Sequence, residues 1–159
     1  MPFKVEVQGL VRVGNRMVKT PFVTVPGIGV AVAYVTGDAM GTIFTFDVPS
    51  SGIIHTAVML DKDDEGIETD LVLFTAPFDP TTDNSAFAVT DADMQAFLTT
   101  ITFATFKNFS VNQVSTAAAL GIAYVAPERK LYAQVVTRGG PTIAAGNEPM
   151  FSLTIISDE

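Results

Sequence analysis

The residues best equipped for chemistry crowd into one decapeptide, Asp61-Lys62-Asp63-Asp64-Glu65-Gly66-Ile67-Glu68-Thr69-Asp70, six acids against one base. Hard cations bind oxygen clusters of this kind. Asp61, Asp63 and Glu65 followed by Gly66 reproduce the first half of a twelve-residue calcium loop. The second half departs from it. Position twelve is Val72 instead of a bidentate Glu, and the flanks read as strands instead of helices. Two readings stand: calcium held among Asp61, Asp63, Glu65, Glu68 and Asp70, or a solvated turn whose net charge of −5 keeps the surface soluble. The second is the plainer, so the sequence assigns no metal and no cofactor.

Other candidate groups are isolated. The single histidine, His55, lies in Ile53-Ile54-His55-Thr56-Ala57-Val58, where alternation predicts it on the same face as Ile53 and Ala57. A catalytic base needs a nucleophile or a second polar partner, and none adjoins it, so His55 reads as structural. The pairs Asp91/Asp93 and Asp79/Asp83 could in principle work across a cleft on a glycosidic bond. Turn formation and helix capping account for them equally well, and the chain has no Trp. Gly27-Ile28-Gly29 and Gly139-Gly140 are too short to cradle a phosphate, and no Gly-Lys-Ser/Thr follows either. The absence of Cys excludes disulfides, thiol catalysis and Cys-ligated zinc or iron–sulfur, and one His excludes multi-His metal sites. The chain is therefore read as non-enzymatic.

The whole chain has 159 residues, the size of one domain, 1–159. Apolar residues make up 48% and charged residues 16%, against a usual charged share of about 25%. Disorder needs the opposite balance. So little charge implies that apolar surface is buried in a core or against a partner. The net charge of −8 gives no basic footprint for nucleic acid. The longest apolar stretch, Phe22 to Val35, is broken by Pro26, Gly27 and Gly29 and is too short to cross a bilayer. Met1 to Val13 has no apolar leader segment, so no signal peptide is expected.

Period-two alternation dominates the elements that must position these groups. Phe3–Val7 reads as a half-buried strand, with a hairpin turn at Gly14-Asn15. Strands are expected over 17–25, over 29–35 as an apolar run covered on both faces, and over 42–48, 53–60 and 71–74. Further strands are expected over 101–106, 111–114, 121–125, 131–137 and 151–156. One short helix is expected near 91–99, capped by Thr90 with Asp93 three residues on, its apolar face made by Met94, Phe97, Leu98 and Ile101. About ten short strands with one helix predict an antiparallel β-sandwich or jelly roll.

Two features point to partners. Seven of the twelve Phe fall between Phe74 and Phe109, either as core or as a subunit interface, for which Phe78, Phe106 and Phe109 are candidates. Lys4, Arg12, Arg16 and Lys19 against Glu6 give the first twenty residues a net +3. That end could dock on an acidic surface or steer one copy onto another, or it could be a plain solvated face.

The stretch Asp70-Leu71-Val72-Leu73-Phe74, then Pro80-Thr81-Thr82-Asp83-Asn84-Ser85-Ala86-Phe87, then Asp91-Ala92-Asp93 resembles a recurrent pattern of small virion structural proteins of tailed bacteriophages. These are head decoration or cement proteins. The resemblance covers roughly 35 of the 159 residues. It implies a capsid-surface subunit made in the host cytoplasm, which binds and stabilises the major capsid protein lattice and associates with itself, preferably as a trimer. The alternative is a tail- or spike-associated β-sandwich binding module, for calcium or a glycan. Physically, Pro80 starts the turn, Asp83 and Asn84 can close it through side-chain-to-backbone bonds, and Phe87 can enter the core.

Overall fold

The computed structural model describes residues 16–157. Lys4 and Arg12, the strand expected over 3–7 and the turn at Gly14-Asn15 lie outside them. The ten strands are β1 (Arg16–Lys19), β2 (Val23–Thr24), β3 (Ala39–Asp47), β4 (Ser51–Asp61), β5 (Thr69–Phe74), β6 (Phe97–Phe103), β7 (Phe106–Asn108), β8 (Gln113–Val125), β9 (Lys130–Thr137) and β10 (Met150–Ser157). They form two antiparallel sheets, as a β-sandwich requires. One runs β1-β10-β4-β8-β7, with β2 also paired to β10; the other runs β3-β9-β5-β6.

Alternation explains the core. Ile54, Ala57 and Met59 of β4 and Phe151, Leu153 and Ile155 of β10 face Phe46, Leu71, Leu73, Phe103, Leu131 and Val135 of the other sheet, all buried. Phe151 joins the sheets, stacking on Phe44 at 6.2 Å and tilting against Phe103 at 5.6 Å between ring centroids. Burying each such side chain is worth roughly 1.5–3 kcal/mol.

The outer faces of the two sheets differ. The connection from β5 to β6, residues 75–96, folds back over the four-stranded sheet. There Phe78 lies on Phe74 at 4.0 Å, and Phe87, Val89 and Ala96 pack around Val72, Val136 and Tyr132. Strand β5 is thus buried on both faces, which is why it reads as an unbroken apolar run.

The expected helix near 91–99 is a single 3-10 turn, Asp93–Ala96. The Thr90 hydroxyl does accept the Asp93 amide at 3.2 Å and donates to its carboxylate at 2.9 Å. From Phe97 onward, however, the chain is β6, paired along β5. Ile101 and Phe103 also fit a period of two. Pairing with β5 buries that set, whereas Met94 and Phe97 remain about 40% exposed. The expected strand over 29–35 is irregular. Ala31 takes φ 56°, and a single bridge pairs Ala33 with Thr142. Val30, Val32 and Val35 are exposed there instead of covered. The expected strands over 111–114 and 121–125 merge into one long strand, β8, which starts only at Gln113, and the chain changes sheets between β6 and β7.

Candidate functional site

Strand β4 carries both the histidine and the first acids of the decapeptide. Its register slips at His55 against both neighbours: Ile54 pairs Ile122 and Thr56 pairs Ala118 on one side, Ile155 and Thr154 on the other. Against β10 His55 is one residue too many, while on β8 the three residues 119–121 stand opposite it, and this irregularity reverses the alternation. Ile53 is 41% exposed while Ala57 is fully buried, so these two lie on opposite faces, contrary to unbroken alternation. The His55 Nδ1 pairs with the Thr56 hydroxyl at 2.8 Å. Beyond the bulge the corrected phase turns Met59 and Asp61 inward, and this is what buries Asp61 at the strand end.

Asp61 therefore does not sit in a solvated loop. Its carboxylate accepts the Gly66 amide at 2.8 Å and the Asp63 amide at 3.2 Å, folding the acidic segment back on itself. Asp63 accepts the Ala144 amide at 3.0 Å, and Glu65 accepts the Thr142 amide through both oxygens at 2.9 and 3.0 Å. These bonds clamp the segment onto the connection between β9 and β10. That connection brings in Glu148, which is 2% exposed and accepts the Ala145 amide at 3.1 Å through Oε1. Its Oε2 is buried without a hydrogen-bond partner among the described residues. Asp61, Asp63 and Glu148 each offer an oxygen within 4.8 Å of the others. Met40, Met59 and Ile143 line the same small cavity, with Glu65 among its polar lining.

Burial, then the approach of the Asp63 carboxyl, lifts Asp61 to about 6, against the pull of the Gly66 and Asp63 amides. Burial and then the Asp63 charge raise Glu148. Burial also raises Glu65, opposed by the Thr142 amide.

The remaining acids of the decapeptide go elsewhere. Asp70, 4% exposed, receives Arg138 Nε and Nη2 on one oxygen, each at 2.6 Å, and the Thr102 hydroxyl on the other at 2.6 Å. Asp64 accepts the Asn108 amide nitrogen. Glu68 is exposed, and its main-chain carbonyl accepts the Arg138 amide at 2.8 Å. The structure thus gathers Asp61 and Asp63, sets Glu65 beside them, and separates Glu68 and Asp70. Sequence reasoning missed Glu148. Its signal is faint: it is the lone charged residue between Gly139 and Ser157.

The second candidate is a surface. Across β10, β4 and β8 the outward positions include Ile156, Ile53 and Ala123 in one row, and Thr154, Thr56 and Ala118 in another. Met17 extends the first row on β1, 66% exposed. Apart from the buried Asp61, these three central strands carry no Asp, Glu, Lys or Arg, and His55 and the buried Tyr124 are their other ionisable side chains. Lys19 stands opposite Thr154 on one bordering strand, and Lys107 opposite Val114 on the other. The Lys19 ammonium lies 5.6 Å above the Phe22 ring. Arg16 is exposed and lines a separate groove with Asp47, Glu128 and Lys130. Of the phenylalanines proposed for contact, Phe78 is 6% exposed in the outer cluster, Phe106 is half-buried against the main core, and Phe109 is 57% exposed.

The stretch that carries the virion resemblance forms the cover over the four-stranded sheet. Asp83 does not close its own turn. It reaches across to the Gly29 and Gly41 amides at 3.1 and 2.6 Å and takes the Tyr34 hydroxyl at 2.8 Å. Asn84 takes φ 56°. Comparison of the chain with known protein families, with curated proteins and with solved structures finds no match.

Proposed function

We propose that the chain is a non-enzymatic structural subunit of a tailed-phage virion, a decoration or cement protein that lies on the major capsid protein lattice. The observation that carries this reading is the outer face of β10, β4 and β8, free of Asp, Glu, Lys and Arg, left uncovered by the described residues and bordered by Lys19 and Lys107. An outer sheet face meant for water alternates apolar-in with polar or charged-out. This one presents Ile, Ala, Thr and Met instead. Specific interfaces have such an apolar centre and a charged rim. The two rim lysines suit an acidic surface better than the same face of a second copy, where lysine would meet lysine. The resembling stretch supports the reading in another way: its Pro, Asp, Asn and Phe are spent on holding a cover in place, as suits a scaffold residue pattern.

The test is co-sedimentation of the purified chain with shells assembled from the major capsid protein encoded alongside it. Saturable binding is expected, and decorated shells should rupture at higher temperature than bare ones. A chain that stays in the supernatant at all concentrations would overturn the reading. Equal rupture thresholds would remove the cement role.

A further inference from the structure

Exposed acids need no ion, because water solvates them. The corner at the end of β4 differs in two respects. Three carboxylates from segments more than eighty residues apart converge there, with an oxygen of each inside 4.8 Å. One of them, Glu148, is 98% buried, lines the same cavity as Asp61 and Asp63, and has an oxygen, Oε2, with no hydrogen-bond partner among the described residues. Carboxylate oxygens only accept. Three of them in contact repel unless a proton or a cation lies between them, and a buried unpaired charge is costly.

The main chain has already oriented these groups. Amides of Gly66, Asp63, Ala144 and Ala145 each engage one carboxylate oxygen. Those bonds hold the rotamers and leave the remaining lone pairs for a ligand. The donors are all oxygen, which selects a hard cation. They come from a strand end and two irregular segments, a flexible geometry that suits calcium. Magnesium demands a near-ideal octahedron and gives up its waters reluctantly.

We infer that Asp61, Asp63 and Glu148 bind a calcium ion, which ties the end of β4 to the connection between β9 and β10. Glu65, held by the Thr142 amide, borders the ion. This site does not depend on the virion reading. It differs from the calcium loop suggested by the sequence, because one ligand comes from far along the chain and Glu68 and Asp70 take no part.

The experiment is calorimetric titration of the chelator-stripped full chain with CaCl2, and separately with MgCl2, alongside thermal melts. One saturable calcium site is expected. The melting temperature should rise by about 5–10 °C at a hundred times Kd. Glu148→Gln removes a buried charge without changing shape, so it should fold and lose at least tenfold in calcium affinity. Glu68→Gln should bind as the parent does. Should Glu148→Gln fail to fold, Asp63→Asn reads the same loss. A parent chain that gives neither heat nor a melting shift with calcium would mean that shared protons hold the corner, and would overturn the inference. So would undiminished calcium binding by both variants. Magnesium binding as tight as calcium would overturn the choice of ion.

Discussion

Gln134 and Thr81 are bonded in both directions: the Thr81 amide donates to Gln134 Oε1 at 3.0 Å, and Gln134 Nε2 donates back to the Thr81 carbonyl at 2.6 Å. The same Nε2 reaches the Gly41 carbonyl at 3.1 Å. A fully buried amide in the middle of β9 thus imitates one rung of a strand and fastens the cover to the sheet beneath it.

Replacing that amide with a hydrocarbon of similar size leaves the Thr81 amide and two carbonyls without it. Each orphaned group costs about 1–3 kcal/mol. Gln134→Leu is expected to lose about 3 kcal/mol, read as a lower urea midpoint with an unchanged m-value. A loss below about 1 kcal/mol would mean that water replaces the bonds.

Gly41 sits beneath the same cover with φ +67°, and a Cβ there would lie 2.5 Å from the Pro26 carbonyl oxygen. Gly37 has φ +95°, but its Cβ would meet open space. Gly37→Ala should therefore cost roughly 1 kcal/mol for backbone strain alone. Gly41→Ala should cost clearly more, since a main-chain atom must also move. Equilibrium unfolding ranks the two, and the reverse order would contradict the close approach.

Charge placed on the open sheet should separate assembly from stability. Ala118 and Ala123 are exposed, so Ala118→Glu and Ala123→Glu are expected to change folding stability by no more than about 0.5 kcal/mol. Both should abolish co-sedimentation with capsid shells. Retained binding by both would place the contact on another face.

With chelator present, the chain should become less stable as the pH rises. Asp61 is lifted to about 6 in the folded state from 3.8, and Glu65 and Glu148 are also raised. Between those values the folded state holds protons that the unfolded chain has lost. By linkage the stability conferred is present below about pH 4 and is lost as the pH rises through about 6. Thermal melts in EDTA should show a higher midpoint at pH 5 than at pH 7.5. Glu148→Gln should flatten the difference.

Most of the fold was legible because burial on one face writes a period of two into the chain. The strand expected over 42–48 matches β3 as far as Asp47, and Ile53–Leu60 and Leu131–Thr137 fall inside β4 and β9. The errors arose where one pattern served two periods or none. Phe97, Leu98 and Ile101 fit a helix in isolation, and pairing with β5 decided otherwise. The apolar run from Gly29 to Val35 reads as a strand, but Ala31 at positive φ breaks it. A register irregularity between strands is silent in the sequence of either one, so the phase reversal at His55 could not be seen. At the acidic corner the sequence supplied Asp61 and Asp63 together. It could not supply Glu148, because that contact is made by the return of a distant connection and has no local period.

The cover over the four-stranded sheet gives the molecule a front and a back. One broad side is sealed by its own chain, while the described residues leave the other open. Seated by the open side, every copy would turn its sealed side outward, so a shell tiled with this subunit would display the exposed loop tips of residues 79–92 to the surroundings. A peptide spliced at Asp91 or Ala92, both at such a tip, would be presented at one height and in one orientation across the whole particle.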